Sequence, residues 1–258
     1  MLRRNATHRF FLTTLALLAV SCVSGCGGGV PLLHSAHVLP HGRVTAGVGL
    51  SGQAVLQDLP GAAGTDQISR ETQIQTSAMA PTMAPWVSAR VGITGSNEAG
   101  LSYTGRAVRL DVRHSFGLNK KNSLALSTGL GGDVLFVAHP RAGSQDPHSL
   151  VGGGVDLPIL FGWRSTAGLY SAWIGPRPGF SFVRGALADG TSFSARDVRL
   201  GFVGGLSVGF RQIHVAMELG GAFHFVDALV VDALVDGAQQ LEFGQFTLTP
   251  AGALNIAF

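Results

Sequence analysis

The chain carries little charge for its length. Asp, Glu, Lys and Arg make up 13% of its 258 residues, about half the share of a soluble domain. Lysine is almost absent, with only Lys120 and Lys121 present. Cysteine is limited to Cys22 and Cys26, which excludes internal disulfides, cysteine metal sites and a cysteine nucleophile from the rest of the chain. No segment beyond about residue 43 sustains a 3.6-residue apolar period, and the apolar core at residues 10–20 is shorter than the ~20 residues of a membrane-spanning helix. The formal charge of +3 resides in Arg3, Arg4 and Arg9, leaving 15 (18 − 3) basic residues against 15 acidic ones. With no basic face, nucleic acid is excluded as a partner. What abounds is glycine, 37 residues, within a chain that is 46% hydrophobic. The glycines have no three-residue period, so the chain is neither collagen-like nor disordered.

Residues 1–25 read as an export signal, with a basic start, an apolar core and small residues after it. Val23-Ser24-Gly25-Cys26 resembles the lipobox of bacterial lipoproteins, whose cysteine is acylated and becomes the first mature residue. Ala19-Val20-Ser21-Cys22 is a weaker second match. The resemblance implies a lipid on Cys26, processing by the lipoprotein machinery, and a periplasmic tether over residues 26–42. Gly27 follows the cysteine where an inner-membrane retention signal would have Asp.

From residue 43 to 258 the pattern is two-residue alternation, the signature of strands. Phe258, Ile256, Leu254, Gly252, Pro250, Leu248 and Phe246 share one face at the carboxyl end, opposite Ala257, Asn255, Ala253, Ala251, Thr249, Thr247 and Gln245. Ile213 to Phe225 and Val198 to Phe210 repeat this sorting. In all, ten strands are expected. The face opposite the apolar one is mostly Gly, Ala and Ser, which suits the crowded inside of a narrow barrel better than a wet sheet surface. Connections alternate between short turns and long stretches (57–83, 137–150, 184–196, 227–241), apart from a short one near Gly105. That is the loop pattern of membrane barrels.

The chain therefore resembles a bacterial outer-membrane β-barrel protein made with a lipoprotein-type signal. The expected fold is an all-β antiparallel up-and-down barrel of about ten strands. Phe258, Ile256 and Leu254 are similar to the terminal signal by which such barrels are recognised for insertion. The resemblance implies outer-membrane lipids and the barrel-assembly machinery as partners. It names no functional family and no surface partner.

Candidate chemistry is sparse. Gly205-Leu206-Ser207-Val208-Gly209 fits the serine-hydrolase pattern, but that motif needs a strand-to-helix elbow, and here it falls mid-strand. His214, Glu218 and His224 share a face at spacings of roughly 13 and 20 Å, too far apart for one metal ion. His34, His37 and His41 form a metal-like run without carboxylates nearby. No catalytic residue, metal or cofactor is expected. The inward charges are Arg90, Glu98, Arg109, Asp111, Arg113, Asp133, Asp156, Arg164, Arg177, Arg199 and Glu218. They are read either as a salt-bridge plug or as the lining of a narrow channel for small solutes. The favoured role is structural, or surface interaction through the loops. A soluble periplasmic barrel with its apolar faces turned inward is a further alternative.

Overall fold

The computed structural model describes residues 29–56, 81–119, 123–137, 149–186, 190–231 and 238–258. The strands, in chain order, are β1 (Val44–Gly52), β2 (Ala54–Val55), β3 (Met83–Ile93), β4 (Asn97–Tyr103), β5 (Ala107–Gly117), β6 (Leu124–Val137), β7 (Ser149–Asp156), β8 (Ile159–Arg164), β9 (Tyr170–Pro176), β10 (Gly179–Ala186), β11 (Ser192–Phe210), β12 (Ile213–Val231) and β13 (Ala238–Ala257). They form ten staves, because β2 extends β1 while β7–β8 and β9–β10 are each one stave broken in the middle. Both breaks fall at a proline, Pro158 and Pro178, whose missing N–H interrupts the ladder. The breaks lie side by side, since Leu157 N donates to Pro178 O at 2.9 Å.

Every pairing is antiparallel, and the sheet closes where β1 meets β13, with Thr45 opposite Ala257 and Ser51 opposite Ala251. Closure leaves no sheet edge, the condition for strands to cross a membrane. The expected short connection near Gly105 is a tight hairpin between β4 and β5, with Gly105 at φ 73°.

The apolar faces point outward. Val48, Leu110, Val134, Ile174, Leu200, Val215 and Met217 are exposed, while Arg109, Glu98, Asp156 and Glu218 are buried. A soluble barrel requires the reverse, so that alternative is overturned. On β12 the outward apolar run from Ile213 to Phe225 covers 12 steps, about 40 Å of strand and ~28 Å of height at a tilt of ~45°. Directly above it the outer face turns polar: Asp227 stands opposite both Glu242 and Arg196. The apolar band thus matches the thickness of a bilayer core. Outward Phe116, Trp163, Tyr170, Phe210 and Phe258 lie at its short-turn rim.

The longest strands, β11 to β13, continue past this band, and there the inside becomes apolar. Leu135, Leu150, Val183, Phe193, Ala195, Val226, Ala228 and Val230 form a buried cluster at the long-connection end of the lumen. The expected loops at 184–196 and 227–241 are largely strand where described, including the first Asp-Ala-Leu-Val unit at 227–230; the second, at 232–235, lies outside the described residues. The reason is that Val226, Ala228 and Val230 continue the alternation of β12 and are buried there.

Candidate functional site

Residues 29–40 lie inside the barrel, not outside it as a tether. Pro31, Leu32, Leu33, His34, Ala36 and His37 are buried, and Leu32, Leu33 and Ala36 pack with Trp86, Leu160, Trp173, Val203 and Ala216 of the wall. Gly29 is held near β1, with its N–H on Gly52 O at 3.3 Å and its carbonyl accepting from Ser51 Oγ at 2.6 Å. From there the segment descends to the short-turn rim, where Leu39 N donates to Glu98 Oε2 at 2.7 Å.

The segment enters the lumen because each partner supplies what the other lacks. An extended backbone in a narrow barrel leaves N–H and C=O groups unpaired, and a luminal charge without a partner is equally unfavourable. Leu33 has φ 54°, a left-handed conformation that is an outlier for a bulky residue. This turns two successive amides toward one anion, a nest. Leu32 N and Leu33 N donate to the two oxygens of Glu218 at 2.7 Å each, and Trp173 Nε1 adds a third donor at 3.2 Å. Arg113 reciprocates with donors to His34 Nδ1 (2.7 Å), Ser35 O and His37 O (3.2 Å). Arg177 Nη1 donates to Val30 O at 2.6 Å.

The inward charges form one chain of contacts beside this plug. Arg113 Nη2 meets Glu98 at 2.9 Å, Glu98 also takes Arg90 Nε, and Arg90 Nη2 meets Asp111 at 2.6 Å. Arg109 Nε lies 3.8 Å from Asp111, and Arg109 Nη2 donates to Asp156 at 2.7 Å. Asp156 also receives Arg177 Nε at 3.0 Å and stands 3.6 Å from Arg199. Five guanidiniums share three carboxylates, and Glu98 and Arg109 are 0% and 1% exposed. Of the other inward residues, Asp133 lines a cavity above the plug and Arg164 one below it.

Large inward side chains explain the small residues between them. A side chain at Gly131 would collide with the Arg109 guanidinium, and one at Gly162 would come within 2.7 Å of Ala36 Cβ in the plug. The serine-hydrolase pattern has the same explanation, because the rings of Trp173 and His214 lie over Gly205 and Gly209. Ser207 faces the lower cavity from mid-strand, opposite Ala216, with no elbow around it.

The three inward residues of β12 separate as their spacing implies. His214 lines the lower cavity, Glu218 holds the plug, and His224 lies higher. Around His224 the structure assembles a group the alternation did not foretell. Nδ1 lies 3.0 Å from Asp197, Nε2 lies 2.9 Å from Thr247 Oγ1, and Ser181 Oγ donates to Asp197 at 3.1 Å. A carboxylate–imidazole–hydroxyl row can activate a hydroxyl. Here it borders a space of about 100 Å³ between the plug and residues of the apolar cap. His34 and His37 are buried and His41 is exposed; no group of three metal-ligating side chains occurs among the described residues. Phe258 closes the seam, its N–H donating to Val44 O at 2.8 Å. Cys22 and Cys26 lie outside the described residues.

The lumen is therefore layered along its axis as apolar cap, small polar space, charge-tied plug, and a cavity of about 470 Å³ at the short-turn mouth. The class of protein is a closed, internally plugged, ten-stave antiparallel barrel with an apolar exterior. Similar solved structures include the outer membrane protease OmpT from Escherichia coli, at 9% identity and TM-score 0.45, covering 87% of this chain and 100% of that one. The translocator domain of autotransporter NalP from Neisseria meningitidis is similar at 12% identity and TM-score 0.38, covering 98% and 97%. Ail, the attachment invasion locus protein of Yersinia pestis, is similar at 10% identity and TM-score 0.29, covering 85% and 100%. No protein-family model and no curated protein matches the chain.

Proposed function

We propose that this protein is a non-conducting, non-enzymatic barrel of the bacterial outer membrane, which acts as a membrane-embedded scaffold and presents its long connections to surface partners. The observation that carries this reading is the seated segment 29–40, bonded at both ends and in the middle to luminal carboxylates and arginines. A passive pore needs a continuous wet path, and this lumen has a plug and an apolar cap in series. The alternative is a narrow channel lined by the inward Arg, Asp and Glu residues. It is favoured by the polar spaces on either side of the plug, and it requires the plug to leave.

Planar-bilayer recording separates the two. The full-length protein is expected to show no steady conductance, and a variant lacking residues 29–40 to show short-lived openings at most, because the cap remains. Steady, salt-dependent current from the full-length protein, reduced when Arg109 and Arg113 are neutralised, would establish the channel instead.

The lipobox supports acylation at Cys26. Its expected placement on the periplasmic side meets a constraint of chain length. Cys26 lies within ~11 Å of Gly29 along the chain, whereas Gly29 is bonded at Gly52, and the 8 steps of β1 from Val44 to Gly52 rise ~19 Å at a tilt of ~45°. We therefore propose the acylation without that placement. Metabolic palmitate labelling, lost in Cys26→Ser and kept in Cys22→Ser, tests it.

A further inference from the structure

We propose that the cavity at the short-turn mouth is a binding site for a small oxyanion, a solute bearing a carboxylate or phosphate group. The cavity measures about 470 Å³ and is walled by residues of the plug and of several staves, a size that suits a small metabolite. Its charge is unbalanced. Arg90, Arg113, Arg164 and Arg211 line it against a single carboxylate, Glu98. Glu98 has nothing left to give, being already engaged by Arg90, Arg113 and the Leu39 amide.

Arg164 is the decisive residue. It is half-buried in the wall, and no carboxylate pairs with it among the described residues, unlike Arg90, Arg109, Arg113, Arg177 and Arg199. Two more donors in the same wall lack acceptors. Arg113 Nη1 can only donate, so His34 Nδ1 accepts and its proton sits on Nε2; His34 Nε2 and Trp86 Nε1 have no partner among the described residues. The guanidinium of Arg164, at the cavity wall and without a carboxylate in a low-dielectric lumen, is satisfied by an anion. Access is from the short-turn side, since the turn residues Thr166, Ala167 and Gly168 form part of the rim.

The proposal is independent of the surface role and of the acylation. It is tested with the full-length protein folded in zwitterionic detergent and titrated with inorganic phosphate and with succinate at constant ionic strength. Calorimetry supplies stoichiometry, and tryptophan fluorescence supplies location, because Trp86 and Trp173 border the cavity while Trp163 faces outward. Saturable one-to-one binding is expected, weakened at least tenfold by Arg164→Gln and largely kept by Arg164→Lys. Both variants are checked for the unheated gel mobility of the folded barrel. A second arm uses nanodiscs of phosphatidylglycerol or phosphatidylcholine: competition with phosphate by the former alone assigns the site to a lipid headgroup, and equal binding in both assigns it to a free solute. Failure to saturate, a response matched by chloride, or binding untouched by Arg164→Gln would overturn the proposal.

Discussion

At the scale of single residues, the lumen shows why ionisable groups at membrane depth occur in contact with one another. Asp156 alone holds Arg109 and Arg177 and stands near Arg199, so its loss leaves several buried cations with too few anions. Removing one partner of a buried ion pair costs about 3–5 kcal/mol. Asp156→Ala is expected to destabilise the barrel by that order in urea titrations from lipid vesicles, and Asp156→Asn somewhat less, since the amide still accepts hydrogen bonds. Exposed Arg196 and Asp227 stand opposite each other across β11 and β12 on the outer face; neutralising either is expected to change stability by less than about 1 kcal/mol. Equal effects from the two sites would contradict the inward placement of the Asp156 cluster.

Among the elements, segment 29–40 behaves as an eleventh component of the barrel without being a strand. Its seat depends on the nest at Leu32 and Leu33, which only an acceptor of charge −1 fills well. Glu218→Gln keeps the shape and removes the charge. Amide hydrogen exchange at Leu32 and Leu33 is expected to accelerate at least tenfold in this variant, with the amides of β12 unchanged. Gly162→Leu should displace the same segment by bulk alone, since Ala36 Cβ occupies the space that side chain needs. Unchanged exchange in both variants would mean that apolar packing against Trp86 and Trp173, rather than the charge, seats the segment.

For the molecule as a whole, closure makes every stave depend on the seam between β1 and β13. The barrel is expected to migrate faster on a denaturing gel before heating than after, because closed barrels resist detergent until heated. Truncation of Phe258 removes the backbone pair with Val44 and an aromatic of the short-turn rim. It is expected to lower the yield of the fast-migrating form in cells while leaving its mobility unaltered. A single band position at all temperatures would exclude a closed membrane barrel.

The strand pattern was legible in the sequence because a two-residue period sorts side chains by face whatever the neighbours are. Val198 to Phe210 and Ile213 to Phe225 therefore declare both their strands and their two faces, and glycine opposite large apolar residues tells which face is crowded. The inward direction of Arg109, Asp156 and Glu218 follows from the same alternation. Pairings across the lumen, such as Arg177 with Asp156 or His224 with Asp197, depend on register and strand tilt, which no local pattern encodes. The plug was hidden most completely, since residues 29–40 have no period and their one pattern, the histidine run from His34, says nothing of a place in the lumen. Their place is decided by luminal groups far along the chain, Glu218, Arg113 and Arg177, whose buried charges need backbone partners. The sequence by itself determined a charge-poor, strand-built chain with one apolar face and one face of small residues. Only the tertiary structure decided that the barrel is filled, because filling is a matter of which distant groups satisfy one another once the sheet has closed.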